Sequence, residues 1–324
     1  MGIDKRQKAL DSRSRKNDRA RNSNRHSKMD IKTYLQEKKE LVDSFLQSYL
    51  DTPLVPSVLN RAMEYSLFAG GKRIRPILAL ASYESCGGIA KEILPYAASL
   101  EFIHTYSLIH DDLPAMDNDD FRRGKLTNHK VFGEGIAILA GDALLTEAFY
   151  LLSNYTHHIS RIAHRAVLKI IREMAIAAGA HGMVGGQAED ILSENRTLDS
   201  DALSFIHAHK TGALITASVR MGGILADAKR KELHALTRYG ENIGLAFQIV
   251  DDVLNVQGDS KELGKQTGSD ERKKKMTYPG LYGVDLSMKK AEELVKDALD
   301  VVQSFSEEAE PLREIARYII RRRN

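Results

Sequence analysis

Five aspartates stand within ten residues in the stretch LIHDDLPAMDNDDFRRGK, which spans residues 108–125. The segment before them is predicted to be helical, and Pro114 forces the residue that precedes it out of helical geometry. Asp111 and Asp112 therefore lie at the negative end of a helix dipole, where each carboxylate is disfavoured by ~0.3–1 kcal/mol. Crowded carboxylates also raise one another's pKa unless a cation neutralises them. The stretch predicts a site that receives a cation.

A second pair of aspartates, Asp251 and Asp252, follows the apolar segment IGLAFQI, and Gly258 is predicted to end the helix that carries them. Gln248 precedes Asp251 by three residues and falls on the same helical face. Hard oxygen ligands of this kind suit Mg²⁺, which takes one or two carboxylates and completes its shell with waters and substrate phosphates. Two acidic clusters at two helix ends can face each other across a cavity.

Basic elements accompany both acidic clusters: GGKRIRP at 70–76, Arg122 with Arg123, Lys210 followed by Thr211, and GSDERKKKMTYP at 268–279. A single pair of aspartates is more often a solvated face or a helix cap. Two pairs that each follow an apolar helix, together with these cations, argue against that interpretation. Lys and Arg bind phosphate oxygens directly, whereas metals bridge carboxylate to phosphate. The pattern indicates a metal-bound diphosphate beside a second diphosphate.

Helical periodicity dominates the elements that must position these residues. Apolar side chains recur on one side of a first helix at 31, 34, 35, 42, 45, 46 and 49. Pro53 and Pro56 precede a second helix, which Gly70 and Gly71 end. Further helical windows are predicted near 76–86, 90–112, 135–153, 160–179, 183–193, 199–223, 228–257, 287–304 and 308–322. Alternating strand patterns are missing, so the sequence predicts an all-α fold with one helical domain at 29–324.

Residues 1–28 differ from the rest in charge. Their ten Lys or Arg and three Asp give +7, which leaves −4 for residues 29–324 of a chain whose net charge is +3. The segment lacks the apolar core of a secretory signal, and we expect a disordered leader or extension. An arm that binds nucleic acid or an anionic membrane is the alternative.

Cysteine content and hydropathy exclude several further classes of protein. Cys86 is the single cysteine, which excludes an intrachain disulfide framework and any Cys-based zinc site and favours a cytoplasmic location. No uninterrupted run of about 18 apolar residues occurs, so we expect no transmembrane helix. For the helical domain we expect neither a nucleic-acid partner nor a membrane span.

The order of these motifs resembles the farnesyl diphosphate synthase family, the trans-isoprenyl or polyprenyl diphosphate synthases, in its bacterial short-chain type. The resemblance covers nearly all of 29–324. It rests on LFAGGKRIRP, EFIHTYSLIHDDLPAMDNDDFRRGK, TNHKVFGEGIAILAGDALL, GGQAEDI, HKTGALI, FQIVDDVLN and ELGKQTGSDERKKKMTYPGLYG. One DDxxD motif is weak evidence, but this ordered set is highly specific.

The resemblance implies a helical bundle around a deep central cavity, a homodimer, and Mg²⁺-dependent head-to-tail condensation of isopentenyl diphosphate with an allylic diphosphate. It implies metal binding by Asp111, Asp112, Asp117, Asp251 and Asp252. It implies allylic diphosphate binding by Arg122, Lys210, Thr211, Gln248 and Lys265, with Lys210 also catalytic. It implies isopentenyl diphosphate binding by Lys72, Arg75, His104 and Arg123.

Two features bear on the product and on the metal. Tyr106, five residues before Asp111, lies about 7.5 Å up the helix at ~1.5 Å per residue, and Ser107 beside it adds little bulk. A large residue at this place, together with the two-residue insertion that makes DDxxxxD, resembles the farnesyl-forming pattern. We expect the C15 product farnesyl diphosphate, with C20 geranylgeranyl diphosphate as the alternative. Asn255 stands where the family's second motif has its last aspartate, so we expect weaker or altered metal binding there. Leu126 replaces the proline that is common after RRGK, which we interpret as a loop adjustment.

Two other functional classes compete with a synthase: a metal-dependent phosphohydrolase and a non-catalytic subunit. His110 next to Asp111 is reminiscent of the HD motif of metal-dependent phosphohydrolases, but such a site needs a further His well upstream, and only His26 precedes His104. A non-catalytic subunit is expected to have lost its aspartates or its GGK-type basic residues, and nearly all of these are present. Both alternatives are therefore disfavoured.

Overall fold

A computed structural model describes residues 29–51, 56–154, 164–193, 200–257 and 277–322. Within these ranges the chain is built of helices. They are α1 (Ile31–Leu50), α2 (Ser57–Leu67), α3 (Ile74–Ser85), α4 (Leu94–Asp111), α5 (Asn128–Phe132), α6 (Glu134–Asn154), α7 (His164–Ala178), α8 (Met183–Ser193), α9 (Ser200–Ile206), α10 (Ala213–Leu225), α11 (Arg230–Gln257), α12 (Tyr278–Tyr282), α13 (Val284–Val301) and α14 (Glu310–Arg321). Short 3₁₀ turns occupy Ala90–Ile93 and Glu307–Ala309. The predicted all-α fold is confirmed.

The strands of the described residues form one two-residue hairpin, in which β1 (Phe121–Arg122) pairs antiparallel with β2 (Lys125–Leu126). Its turn residues Arg123 and Gly124 both have positive φ, 53° and 74°. That combination defines the tight hairpin turn that joins two strands through two residues. The turn fixes the direction in which the side chains of Arg122 and Arg123 leave the backbone.

Helix α4 is the central element because thirteen of its eighteen residues are buried and none is exposed. It packs against α6 on one side and α3 on the other, while α10 packs against both α3 and α11. A helix that is apolar all round is expected to be enclosed by other helices. The last turn of α4 carries Asp111, so the core of the bundle holds that carboxylate in place.

The predicted window at 199–223 differs from the structure in one respect. It consists of α9, a π-helical segment at His207–Gly212, and α10. A π-helix inserts an extra residue into its turn, which rotates the side chains that follow, and such segments occur often at functional sites. Apolar spacing alone cannot reveal the inserted residue, because the windows on both sides keep the helical period.

Residues 31–324 form one compact unit. The expectation for a basic leader at 1–28 lies outside the described residues. Helix α6 is long and apolar enough to cross a membrane by length and composition, with 39% of its most apolar window buried. A core helix of a globular protein meets the same criterion, and α6 packs against α2 and α4. Its apolar character is therefore weak evidence for a membrane.

Candidate active site

A cavity of about 650 Å³ opens between the end of α4, α8, the π-helical segment and α11. Twelve of the predicted site residues line it: Arg75, His104, Tyr106, Ser107, Asp111, Asp117, Arg122, Arg123, Lys210, Thr211, Gln248 and Asp251. They come from segments up to 176 residues apart in the chain, from Arg75 to Asp251. The fold brings the acidic and basic motifs to one cavity.

The acidic side of the cavity is made by Asp111, Asp117 and Asp251. The loop after α4 folds back on the helix end, because the Asp117 amide donates to the Asp111 carbonyl at 2.8 Å. Asn118 supports the turn with φ of 53°, a conformation that Asn tolerates better than most residues. Burial raises the pKa of Asp251 above its ordinary value, and the charges of Arg322 and Lys72 lower it in part.

The second carboxylate of the first pair has a different environment. Asp112 is buried, and both of its oxygens accept from the Nε of Arg122, at 2.7 and 2.8 Å, while Arg122 Nη2 lies 2.5 Å from Oδ1. Bidentate pairs of this kind are strong and fix the plane of the guanidinium. Asp112 is absent from the cavity wall and instead orients Arg122, which lines it.

Asp252 likewise lies behind the cavity wall. It accepts from Gln248 Nε2 at 2.8 Å and from the Tyr278 amide at 3.0 Å. Gln248 in turn accepts from the Thr211 hydroxyl at 2.7 Å. This relay holds Thr211 and Gln248, two cavity residues, in fixed positions relative to α11 and α12.

The basic side of the cavity contains Arg75, His104 and Arg123. Burial lowers the pKa of each of the two arginines. Burial, followed by the charges of Arg75 and Arg123, lowers the pKa of His104 well below its ordinary value, so the imidazole is neutral near pH 7. The Arg75 Nε is buried without a hydrogen-bond partner among the described residues. Partly buried cations with donors to spare are a site for an anion.

Glycine at position 71 lets Arg123 reach this cluster. Gly71 has φ of 121°, which favours glycine, and a Cβ there would lie 2.7 Å from the Arg123 guanidinium. The same guanidinium donates to the Gly70 carbonyl. The neighbouring Arg73 has a structural role, because it is buried and bonds Asp43 and Glu101, at 2.7 Å each. In the motif GGKRIRP, one arginine therefore supports the fold and the other faces the cavity.

Lys210 projects from the π-helical segment and binds Asp190 of α8 through a 2.7 Å hydrogen bond. Helix α8 approaches this segment so closely that a Cβ on Gly186 would lie 2.2 Å from the Lys210 backbone nitrogen. The contact and the ion pair together fix where the Lys210 ammonium sits.

Several predicted residues lie elsewhere. Lys72 is exposed and absent from the cavity wall, although its charge lowers the pKa of Asp251. Asn255 occupies the last turns of α11, also away from the wall. Lys265 and most of the basic stretch at 268–279 lie outside the described residues. The roles given to these three residues stay predictions.

Tyr106 and Ser107 both line the cavity, one to two turns above Asp111. Tyr106 is buried, and its ring meets that of His110 edge-on, with 5.7 Å between ring centroids. His110 Nε2 lies 3.0 Å from the Ile138 carbonyl, which can only accept, so this nitrogen carries the proton. Nε2 is therefore engaged by the Ile138 carbonyl, which leaves Nδ1 as the ring nitrogen of His110 that could bind a metal.

Sequence reasoning missed Gln187 and Phe247, which line the cavity. It also missed Asp190 and Arg322, which bind the cavity residues Lys210 and Asp251. Arg322 donates to Asp251 at 2.9 Å and lies over the Phe247 ring, 4.1 Å from its centroid. Gln187 and Asp190 belong to the stretch GGQAEDI, whose match to the family was the available signal. The basic end RRRN gave no comparable signal, because its approach to Asp251 depends on how α14 packs.

The acidic side suits Mg²⁺ in its donor chemistry. Among the described residues, no three His, Cys, Asp or Glu side chains converge closely enough to hold a metal by themselves. Mg²⁺ seldom requires such a cage, since it usually takes one or two carboxylates with waters and substrate phosphates. Asp111, Asp117 and Asp251 offer separate carboxylates to one cavity, which fits that mode of binding.

Comparison with known proteins agrees with this geometry. The polyprenyl synthetase family matches residues 56–319. The geranylgeranyl diphosphate synthase of Cyanophora paradoxa is 47% identical over 296 residues, which cover 91% of this chain and 97% of that protein. The farnesyl diphosphate synthase of Geobacillus stearothermophilus is 46% identical over 258 residues, 80% of this chain and 86% of the relative.

A solved structure of a geranyltransferase from Legionella pneumophila superposes with a TM-score of 0.80 at 32% identity. The superposed residues cover 91% of this chain and 98% of the Legionella chain. The family match spans most of the bundle and includes every element that lines the cavity. This protein is therefore a prenyltransferase that belongs to the polyprenyl synthetase family.

Proposed function

We propose that the protein condenses isopentenyl diphosphate head-to-tail with an allylic diphosphate, dimethylallyl or geranyl, in a Mg²⁺-dependent reaction that yields farnesyl diphosphate. One observation carries the proposal: carboxylates and partly buried cations face the same 650 Å³ cavity. A cavity with both kinds of group matches two diphosphates that bind differently, one through a metal and one through cations.

The allylic diphosphate binds at the acidic side. Mg²⁺ held by Asp111, Asp117 and Asp251 would neutralise charge on the departing diphosphate. Lys210 and Arg122 donate to the same oxygens, and Asp190 and Asp112 hold these two cations in place. The guanidinium of Arg122 has five N–H donors, so its pairing with Asp112 leaves others for phosphate. We assign Asp112 and Asp252 to positioning, in contrast to the metal ligation that the family resemblance implies for them.

Isopentenyl diphosphate binds at the basic side, to Arg75, His104 and Arg123. The anion relieves the repulsion between two partly buried guanidinium groups and accepts from the unpartnered Arg75 Nε. Neutral His104 adds a hydrogen bond without adding to the repulsion between the arginines. Lys72, which is exposed, contributes a longer-range attraction.

The bond changes follow from this arrangement. The allylic C1–O bond breaks and its electron pair leaves with diphosphate, while the double bond of isopentenyl diphosphate supplies the pair for the new C–C bond. The released diphosphate takes the proton that is then lost from C2 of the isopentenyl unit. The carbonyl and hydroxyl dipoles of Lys210, Thr211 and Gln248 stabilise the intermediate cation. No nucleophilic side chain is needed.

Incubation with isopentenyl and geranyl diphosphates, with and without Mg²⁺, tests the proposal. We expect an elongated prenyl diphosphate only when Mg²⁺ is present, because the carboxylates repel an unmetallated diphosphate. Equal product formation in excess chelator would contradict the mechanism. Phosphate release without elongation would favour a hydrolase.

Tyr106 supports a short product. The growing hydrocarbon must extend away from the aspartates along α4, and the buried Tyr106 ring lines the cavity in that direction. The ring is braced by His110, which itself packs so tightly on α6 that a Cβ on Gly141 would lie 2.1 Å from His110 Nε2. A braced aromatic side chain cannot easily yield to a longer chain, so we favour the C15 product over C20.

Tyr106→Ala is expected to shift the products from mainly C15 to C20 and longer, because truncation opens space along α4 for a longer hydrocarbon chain. Chromatography of the dephosphorylated products measures the shift. Ser107→Ala is the matched control, since it removes little volume from the adjacent position. An unchanged product profile in Tyr106→Ala would remove this residue from the chain-length argument, and mainly C20 product from the wild-type protein would favour geranylgeranyl diphosphate.

We also propose a homodimer. Helices α6 and α7 pack together and expose large apolar side chains, among them Leu139 at 53% and Leu168 at 68% exposure. Ile138, Tyr150 and Ile176 are further exposed apolar residues of these two helices. Five large exposed apolar side chains on two packed helices support an interface on this face. Light scattering should give about twice the chain mass of 36.2 kDa, and a monomer mass at micromolar concentration would contradict the proposal.

A further inference from the structure

The amide of Gln187 has an acceptor that nothing in the described part of the protein satisfies. Its Oε1 is buried without a hydrogen-bond partner, and the residue lines the cavity. Buried polar atoms in folded proteins are nearly always hydrogen-bonded, and an exception in a cavity requires an explanation. A partner that arrives with the substrate is one such explanation.

Gln187 is held rigidly. It follows Gly186, where α8 approaches the Lys210 backbone most closely, and it precedes by one turn Asp190, which binds the Lys210 ammonium at 2.7 Å. Both contacts fix α8 against the π-helical segment. The Gln187 carbonyl is therefore presented from an anchored helix, in the same cavity as the cation that is proposed to bind the leaving diphosphate.

The residues around Gln187 restrict the groups with which its side-chain oxygen can interact. The other α8 side chains on the cavity wall are apolar: Met183, Val184, Ala188 and Ile191. A carbonyl oxygen only accepts, so it cannot bond a deprotonated diphosphate, and a prenyl chain has no donor. Two positive centres remain in the proposed reaction: Mg²⁺ with its bound waters, which the aspartates across the cavity would hold, and the allylic cation that forms when diphosphate leaves.

Gln248, the other amide side chain on the cavity wall, has hydrogen-bond partners for both its oxygen and its nitrogen. The Oε1 of Gln248 already accepts from the Thr211 hydroxyl at 2.7 Å, and its Nε2 donates to Asp252 at 2.8 Å. Both ends of Gln248 are thus engaged by the protein. The Oε1 of Gln187 has no such partner among the described residues.

We propose that Gln187 is a catalytic residue whose side-chain carbonyl dipole faces the allylic carbocation and stabilises it. No bond forms to Gln187: the C1–O pair leaves with diphosphate, the isopentenyl double bond supplies the pair for the new C–C bond, and the dipole acts only while C1 is electron-poor. A dipole that is fixed before the charge develops needs no reorganisation during the reaction. This inference rests on the proposed function of the cavity.

Gln187→Met keeps an unbranched side chain of similar length and removes the dipole. We expect kcat with saturating isopentenyl and geranyl diphosphates to fall about 10- to 100-fold, somewhat less than the loss seen when an oxyanion-hole donor is removed. The KM of each substrate should change less than about threefold, and the Mg²⁺ concentration for half-maximal rate should not change. The Tm should stay the same or rise, because an unpaired buried acceptor is removed.

Asn242→Leu is the matched control. Asn242 also has a buried amide atom, Nδ2, without a partner among the described residues, but it lines a separate groove of about 600 Å³. Its substitution should leave kcat within about twofold of wild type. A similar loss in both variants would mean that removing any buried amide impairs the enzyme, and it would overturn the proposal.

Two further outcomes would overturn the proposal. An unchanged kcat in Gln187→Met would show that the dipole does not act in the rate-limiting step. A raised Mg²⁺ requirement with normal kcat at saturating metal would assign the oxygen to a metal-bound water. The activity of the wild-type protein tests the proposed function separately. If wild type elongates its substrate and the variant has an equal kcat, only the role of Gln187 is contradicted. If wild type does not elongate its substrate, both the proposed function and the role of Gln187 are contradicted.

Discussion

Asp111→Asn and Asp251→Asn are each expected to lower the kcat of condensation by about 10²- to 10⁴-fold, while the protein stays folded. Asparagine preserves the volume and one oxygen but removes the charge that draws a metal-bound diphosphate to the cavity. Lewis-acid stabilisation of a leaving group contributes several kcal/mol, and each ~1.4 kcal/mol is a tenfold change in rate. Steady-state kinetics at saturating substrates and Mg²⁺ measure the effect.

Asp297→Asn is the control for these two substitutions, because Asp297 is an exposed residue of α13 that does not line the cavity. It should have wild-type kinetics. Thermal unfolding of all three variants separates lost chemistry from lost structure. Full activity in Asp111→Asn and Asp251→Asn would show that the carboxylates on the cavity wall do not serve the reaction.

Gly186→Ala is expected to reduce both activity and stability. The added methyl group would lie 2.2 Å from the Lys210 backbone nitrogen and 2.8 Å from its Cα, so backbone must move. Overpacking of this kind costs ~1–3 kcal/mol of unfolding free energy. Displacing Lys210 by about 1 Å costs on the order of 100-fold in kcat. Denaturant unfolding and steady-state kinetics measure the two effects.

Gly135→Ala provides the comparison, because a Cβ at that helical glycine of α6 would meet no atom within 4 Å. This variant should be as active as wild type and up to ~1 kcal/mol more stable, since alanine is the better helix former. A Gly186→Ala variant that matches Gly135→Ala in both measurements would show that the contact with the π-helical segment does not position Lys210.

The helices that carry the site could be predicted from local patterns. The apolar period, Pro114 and the paired aspartates placed the end of α4 near Asp111, where the structure ends it. The window at 228–257 corresponds to α11 at Arg230–Gln257 for the same reason. These elements are encoded by spacing within one segment, which a single sequence displays.

The orientation of individual side chains could not be predicted in the same way. Asp111 and Asp112 are adjacent and chemically identical, yet Arg122, ten residues later, holds Asp112 away from the cavity wall. The approach of Arg322 to Asp251 joins residues 71 positions apart. The π-helical segment packs against Gly186 and Gly244, on two other helices. Each of these features is a tertiary contact, and local spacing does not encode it.

The central claim is that one cavity binds two diphosphates by different means, and calorimetric titration of the two substrates tests it most directly. Isopentenyl diphosphate should bind the wild-type protein in excess chelator with a Kd within about threefold of that in Mg²⁺, because Arg75, His104 and Arg123 supply the site. Arg75→Ala should weaken this binding about 10- to 100-fold, the effect of losing a charge-assisted hydrogen bond of ~1.5–3 kcal/mol. Geranyl diphosphate should bind at least about tenfold more tightly when Mg²⁺ is added. Isopentenyl diphosphate binding that requires Mg²⁺ and is insensitive to Arg75→Ala would contradict the account.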